Sequence, residues 1–138
     1  MQFVLDCSVA MSWFFEDESD PYSEGVLNSL KINEAIVPIL WHLEVSNVFL
    51  VAEKRKRITE SKIIHNMNLI DSLPIKVQIS SPMREIYILA RQFGLSSYDA
   101  TYLDLAMRLG LPLATRDNQL KSSAKSSGIP LYFSKEKK

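Results

Sequence analysis

Short apolar runs alternate along this chain with longer stretches in which apolar residues recur at helical spacing. The runs that resemble buried strands cover residues 3–5, 35–37, 75–79, 113–115 and 131–133. Strands that alternate with helices are typical of a parallel sheet, because a crossover must return the chain to the same end of the sheet. The pattern therefore predicts an α/β fold with a central parallel sheet of about four to five strands, covered by helices on both faces.

Capping residues, prolines and glycines mark the ends of the predicted helices. Asp20 and Pro21 predict a helix that begins there and runs to about residue 30, because proline is favoured in the first helical turn. Glycines just beyond a helical pattern are typical stops. The other predicted helices run over residues 40–56, from Thr59 to before Pro74, from Ser81 and Pro82 to Gly94, from Ser97 to Leu109 before Gly110, and from Asp117 to Gly128.

The length and charge of the chain limit what it can be. A chain of 138 residues suits one domain, which we place at residues 1–134, followed by a basic tail at 135–138. Lys+Arg and Asp+Glu both number 16, so no global basic field indicates nucleic acid. Any polyanion would have to be held by local patches or metal ions.

Cysteine usage and the N-terminal residues predict a location. Cys7 is the only cysteine, which excludes a disulfide within the chain and a Cys-rich zinc site and favours a reducing cytoplasm. The N-terminal residues lack the cationic and apolar regions of a signal peptide. No apolar run is long enough to span a membrane, so we expect no membrane partner.

Two predicted strands end at a carboxylate. Asp6 directly follows the apolar residues 3–5, and Asp117 lies just beyond residues 113–115. Ligands of open parallel sheets gather beyond the carboxyl ends of the strands, so both residues are candidates for a site. Asp117 also has an ordinary interpretation, because Asp is a favoured helix N-cap.

Glu44 lies on an otherwise apolar side of the helix predicted over residues 40–56. Leu40, Val48 and Val51 share its side, and Asn47 joins that face. A lone ionised carboxylate there would cost several kcal/mol, so Glu44 needs a partner. A shared polar site is a better interpretation than a buried salt bridge, because the stripe carries no basic residue.

Asp99 falls in the first turn of a predicted helix, where the helix dipole favours acidic residues in any case. Asp104, five residues on, faces elsewhere, and we expect it at the surface in a pair with Arg108. A single explanation accounts for the other four carboxylates discussed above: they form a pocket at the C-terminal edge of the sheet. Its members, called here the acidic quartet, are Asp6, Glu44, Asp99 and Asp117.

The acidic quartet predicts a cation. Four negative charges cannot share a small pocket without raised pKa values or bound cations. Oxygen ligands without His or Cys suit Mg²⁺ or Mn²⁺ rather than Zn²⁺.

Four stretches of the sequence resemble the PIN-domain family, and within it the VapC-type toxins of bacterial and archaeal toxin–antitoxin pairs. They are VLDCS at residues 4–8, PILWHLEVSN at 38–47, LSSYDATYLDLA at 95–106 and LATRD at 113–117. The match runs in order along nearly the whole chain. The resemblance implies a three-layer α/β/α fold and an Mg²⁺- or Mn²⁺-dependent endoribonuclease, usually a homodimer, that a cognate antitoxin silences.

The resemblance also assigns roles by position. It implies that the whole acidic quartet is catalytic and that Asp6, Asp99 and Asp117 are metal ligands, which leaves Glu44 to position water or act as general base. Its supporting positions are Ser8, Asn47 and Thr115.

Other residues have more ordinary interpretations. Arg116 adjoins Asp117 and is a candidate phosphate contact, whereas the basic run at residues 54–57 is expected to be a solvated helix end. Trp41, Phe49 and Tyr87 are candidates for a dimer face.

The sequence argues against two other functions and leaves one alternative open. A phosphatase with a nucleophilic Asp6 would need a second Asp where Ser8 stands, and a receiver domain would need an acidic pair where Cys7 stands. The remaining alternative is a nonenzymatic, metal-dependent RNA-binding or regulatory module of the same fold.

Overall fold

Parallel strands form the centre of the protein. The computed structural model describes residues 1–80 and 82–133. Within them the strands are β1 (Gln2–Leu5), β2 (Glu34–Pro38), β3 (Ile75–Gln78) and β4 (Leu113–Ala114). All pairings are parallel, and the strands lie in the order β3-β2-β1-β4. The predicted α/β fold with a central parallel sheet is confirmed.

Helices connect the strands and flank the sheet. They are α1 (Cys7–Met11), α2 (Pro21–Ser29), α3 (Leu40–Lys54), α4 (Glu60–Asp71), α5 (Met83–Phe93), α6 (Ser97–Leu109) and α7 (Asn118–Ser126), with a 3₁₀ helix at Glu16–Glu18. Helix α6 packs on β1 and β2 and also contacts α5 and α7. Within residues 1–80 and 82–133, no helix is both long enough and apolar enough to cross a membrane.

The strand predicted at residues 131–133 is wrong as an element. Leu131 forms a single parallel bridge with Leu113, and within the described residues the ladder goes no further. The Leu113 amide donates to the Pro130 carbonyl at 3.0 Å, and the Tyr132 amide donates to the Leu113 carbonyl at 2.9 Å. Strand β4 is itself only two residues long, so it offers little backbone for a fifth strand to extend along.

Helix α6 spans Ser97–Leu109 as predicted, but two details at the predicted helix ends differ from the structure. Ser96, rather than Ser97, caps α6, because its hydroxyl oxygen accepts the Asp99 amide hydrogen at 3.0 Å. Helix α3 ends at Lys54 instead of residue 56. The stops at Gly94 and Gly110 are confirmed, since both adopt a left-handed φ of 65°. The predicted helix start at Ser81 and the predicted tail at 135–138 lie outside the described residues.

The core explains two residues that were candidates for a dimer face. Trp41 and Phe49 are almost completely buried within the single chain, so they stabilise the fold and are unavailable to a partner. Tyr87 on α5 remains exposed over 59% of its surface. Cys7 is buried and unpaired, as expected.

The strand order places a switch point between β1 and β4. The chain proceeds from β1 outward to β2 and β3, and then returns to the other side of β1 to form β4. In open parallel sheets the crevice beyond the carboxyl ends of such a strand pair is the usual ligand site. Asp6 and Thr115 directly follow these two strands.

Candidate active site

Backbone pairing between β1 and β4 fixes the position of Asp6. Val4 and Leu5 pair with Leu113 and Ala114, and the Asp6 amide then donates to the Ala114 carbonyl at 3.0 Å. The two chains therefore leave the sheet side by side. Asp6 is only 6% exposed at this edge.

The Asp6 carboxylate holds the two strand ends together. Its Oδ2 accepts hydrogen bonds from the Ser8 hydroxyl at 2.8 Å and from the Thr115 hydroxyl at 2.7 Å. The two hydroxyl oxygens accept in turn from the backbone amides of Arg116 and Asp117, each at 3.1 Å. The structure thus brings Ser8 and Thr115, the two hydroxyl positions that the resemblance singled out, into contact with Asp6.

Asp117 and Asp99 reach the same edge from the starts of two helices. Asp117 caps α7, with its Oδ1 accepting the Gln119 amide at 3.0 Å. Asp99 is half-buried in the first turn of α6, the helix that packs on β1. The ordinary interpretation of each residue is correct, and it is compatible with a place in the site.

Glu44 lies half-buried beside the core rather than within it. The buried residues of α3 are Trp41, Val45, Phe49 and Ala52, so the apolar stripe predicted through Val51 is only partly buried. The partner that Glu44 needs is the Tyr102 hydroxyl, which donates to its Oε1.

The quartet carboxylates repel one another. Burial raises the pKa of Asp6, and the Asp99 and Asp117 charges raise it further against the hydrogen bonds from Thr115 and Ser8. Burial also raises the pKa of Asp99, and Asp117 adds to the effect. The pKa of Glu44 rises to about 7, mainly through burial and then through Asp6 and Asp99, against the Tyr102 hydrogen bond.

No basic side chain of the described residues forms an ion pair with the acidic quartet. The quartet is therefore an excess of negative charge at one edge of the sheet.

Asp104 does not belong to the quartet. It pairs with Arg108 at 2.7 Å, as expected, yet it is 3% exposed, so its predicted surface position is wrong. Helix α6 is covered on several sides, which leaves almost no solvent-facing side at that point.

The donor chemistry fits a hard divalent cation held partly through water. In residues 1–80 and 82–133, no three His, Cys, Asp or Glu side chains are arranged so that together they could hold a metal ion. Mg²⁺ usually keeps several waters and binds through one or two carboxylates plus a substrate phosphate. A closed cage is therefore not required, and an oxygen-only set with mutually raised pKa values favours such an ion.

Among the described residues, the side chains of two predicted site residues form no hydrogen bond or ion pair with the quartet. Arg116 Nε is 2.9 Å from Asp20 Oδ2 and its NH1 is 4.0 Å from Glu18 Oε1, so its guanidinium already has acidic partners. Asn47 is exposed on α3, and within the described residues it makes no hydrogen bond to the quartet.

The sequence reasoning missed Tyr102. A tyrosine inside an apolar helix reads as core, and Tyr102 is indeed fully buried. Its position three residues after Asp99 was the available signal, because residues at that spacing are neighbours on a helix surface. Two nearby acidic residues, Glu18 and Asp20, are the ion-pair partners of Arg116.

The acidic quartet lies apart from a cavity at the protein surface. A surface cavity of about 840 Å³ lies elsewhere, lined by Trp13, Phe14, Asn66 and Leu69 among others, and none of the quartet lines it.

Comparison with known proteins defines the class. The family model of the PIN domain matches residues 3–126, so the chain belongs to the PIN-domain family. PIN domains are generally nucleases, and these nucleases generally use divalent metal ions. Among curated proteins, none matches this chain.

Solved structures share the fold at low sequence identity. PAE2754 from Pyrobaculum aerophilum aligns at a TM-score of 0.70 and 21% identity, over 89% of this chain and 79% of that one. A domain of a functionally unknown protein from Methanocaldococcus jannaschii DSM 2661 aligns at 0.54 and 22%, over 99% and 93%. FitAcB from Neisseria gonorrhoeae aligns at 0.55 and 17%, over 96% of each chain.

Proposed function

We propose that this protein is a VapC-type endoribonuclease, the toxin of a toxin–antitoxin pair, and that it hydrolyses RNA phosphodiesters with Mg²⁺ or Mn²⁺. The observation that carries the proposal is the acidic quartet. Residues far apart in sequence meet at the switch point of a PIN-domain sheet, repel one another, and have no basic partner among the described residues. Repulsion without a structural counter-charge supports a binding role over a packing role.

The residues divide the work between cation binding and proton transfer. Asp6, Asp99 and Asp117 would hold the cation, directly or through water. When bound, the ion would neutralise charge on the phosphate and make water more acidic. Glu44 would take the proton of the attacking water, since a pKa of about 7 suits a general base at neutral pH. Ser8 and Thr115 orient Asp6, and their hydrogen bonds favour its ionised form against the effect of burial.

Partners follow from surface features and from the family pattern. We propose a homodimer that uses the exposed apolar side of α5, where Met83, Tyr87 and Ile88 are all more than half exposed. A cognate antitoxin and a cytoplasmic location complete the proposal. The location is consistent with the unpaired, buried Cys7.

Single carboxamide substitutions test the site. Asp6→Asn and Asp99→Asn should each abolish most cleavage of tRNA and mRNA in Mg²⁺ or Mn²⁺, because an amide lacks the charge that holds the ion. Asp71→Asn, which changes an exposed carboxylate at the end of α4, should cleave like the unmodified protein. Unchanged cleavage by either quartet variant would overturn the assignment.

A chelator separates the nuclease from the nonenzymatic alternative. Cleavage that EDTA stops and added Mn²⁺ restores supports hydrolysis at the quartet. RNA that is bound in a metal-dependent way but remains intact would favour the RNA-binding module instead.

A further inference from the structure

Tyr102 places a hydroxyl at the inner side of the acidic quartet. Its side chain is 0% exposed, and the hydroxyl donates to Glu44 Oε1. A buried tyrosine hydroxyl must find an acceptor, whereas phenylalanine would fill the same space without that requirement. The hydroxyl is therefore not needed for packing, and its bond to Glu44 requires its own explanation.

The bond restrains a side chain that other forces would displace. Asp6 and Asp99 both act on Glu44 through like charge, which favours a carboxylate turned away from them. A glutamate has three rotatable bonds, so a half-buried one needs a fixed contact to keep a single orientation. Within the described residues, the Tyr102 hydroxyl is the hydrogen-bond partner of Glu44, and Oε2 has none.

The same bond joins the two helices that carry half of the quartet. Glu44 is on α3, and Tyr102 is on α6, three residues after Asp99. Tyr102 is buried in the core and lies on the same helix as Asp99. Its hydrogen bond to Glu44 therefore holds the Glu44 carboxylate at a defined position relative to Asp99.

We infer that Tyr102 is a positioning residue, which holds the Glu44 carboxylate beside Asp6 and Asp99 with one oxygen fixed and the other free to take a proton from water. This inference rests on the proposed nuclease function. It assigns Tyr102 no contact with RNA, so its effect must pass through Glu44.

Tyr102→Phe tests the inference against a matched control. Tyr132 is also buried, and its hydroxyl donates to Ser29 at 2.8 Å and accepts from Asn33 at 2.7 Å, away from the quartet. Tyr132→Phe therefore removes an equally buried hydroxyl without touching Glu44. Melting temperatures of both variants establish that each is folded.

The kinetic result should separate the two variants. Tyr102→Phe should lower the single-turnover rate by roughly 10- to 100-fold with KM little changed, because a misplaced general base loses rate rather than binding. Tyr132→Phe should cleave at the unmodified rate. In a Glu44→Gln background, adding Tyr102→Phe should cause no further loss. An equal effect of the two tyrosine variants, or a full additional loss in that background, overturns the inference.

A second readout does not depend on cleavage. The ¹³C carboxyl resonance of Glu44, assigned by its absence in Glu44→Gln, is followed in protein without metal. Tyr102→Phe should shift this resonance, and Tyr132→Phe should leave it in place. If the unmodified protein does not cleave RNA, the proposed function fails, and this resonance alone decides the positioning role. An unshifted resonance then overturns that role too.

Discussion

The Thr115 hydroxyl donates to Asp6 Oδ2 at 2.7 Å, which joins residues 109 positions apart in the sequence. The bond lies where β1 and β4 end side by side. It favours the ionised form of Asp6 against the burial that raises the pKa of this carboxyl. Under the proposed function, this hydrogen bond would favour cation binding by Asp6.

Replacing Thr115 tests that effect. Thr115→Val keeps the shape of the side chain but removes the donor, so the pKa of Asp6 should rise further. Mg²⁺ or Mn²⁺ affinity at neutral pH should fall by roughly 10- to 100-fold, as for other residues that orient metal ligands. Thr115→Ser, which keeps the hydroxyl, should bind nearly normally. Calorimetric titration measures the affinities, and equal values for Thr115→Val and the unmodified protein would contradict the role.

The raised pKa of Glu44 predicts how stability depends on pH without metal. From the ordinary value of 4.5 up to about 7, folded Glu44 keeps a proton that the unfolded chain has lost. The folded state binds more protons in that window, so the unfolding free energy falls as pH rises through it, and the stabilisation is complete only below about 4.5. Solvent near this half-buried group limits the effect to roughly 1 kcal/mol.

Glu44→Gln should remove this dependence. The amide stays neutral and can still accept from Tyr102, so the variant should melt higher than the unmodified protein at pH 8 and equally at pH 4. Glu53→Gln, an exposed change on the same helix, is the control. Thermal denaturation in EDTA provides the measurement, and parallel pH curves for the unmodified protein and Glu44→Gln would refute the prediction.

A divalent cation should stabilise the folded protein through the quartet. An ion that binds only the folded state at about 100 times its Kd adds roughly 2.7 kcal/mol to the unfolding free energy. Mn²⁺ should therefore raise the melting temperature at pH 8, and Asp6→Asn should lose most of that increase. Asp71→Asn should keep it. An equal increase in Asp6→Asn would mean that the ion binds elsewhere.

Asp20 should compete with RNA for Arg116. The Asp20 carboxylate holds the Arg116 guanidinium at 2.9 Å and also caps α2 by accepting the Ser23 amide at 2.7 Å. Asp20→Asn keeps a capping oxygen but loses the charge. RNA affinity at low salt, measured by filter binding, should increase, and Arg116→Ala should decrease it. If both variants bind RNA like the unmodified protein, Arg116 has no phosphate role.

The apolar side of α5 should mediate dimer formation. Tyr87→Asp places a charge on that surface without disturbing the core, because Tyr87 is already 59% exposed. The variant should be a monomer by light scattering at concentrations where the unmodified protein is a dimer. Ile64→Asp, which changes an exposed residue of α4, is the matched control and should leave the dimer intact. A Tyr87→Asp dimer would place the interface elsewhere.

The sequence was sufficient for the sheet because its apolar runs and helix stops are local properties. Phe3, Val4 and Leu5 cannot be solvent-facing, and the glycines at 94 and 110 end their helices whatever lies around them. Strand ends then follow, and with them the positions of Asp6 and Asp117. The prediction of a strand at residues 131–133 was wrong because strand pairing depends on the length of the neighbouring strand, β4. A local sequence pattern does not contain that information.

The contacts that complete the site are tertiary and were not predictable from spacing. Tyr102 and Glu44 are 58 residues apart, and only the packing of α6 against the rest of the fold brings them together. A surface position for Asp104 is the expectation for an amphipathic helix, which has one solvent-exposed face. Strands and helices together cover α6, so the helix has almost no solvent-exposed face at Asp104.

The position of β4 determines when the acidic edge can form during synthesis. Thr115 lies 109 residues after Asp6, so Thr115 and Asp117 emerge from the ribosome long after Asp6. A nascent chain, or a fragment cut before residue 113, has no second strand end for Asp6 to bond and lacks one acidic group. The acidic edge is therefore complete only when β4 joins the sheet, so an incomplete chain lacks the full set of carboxylates that the proposed nuclease requires.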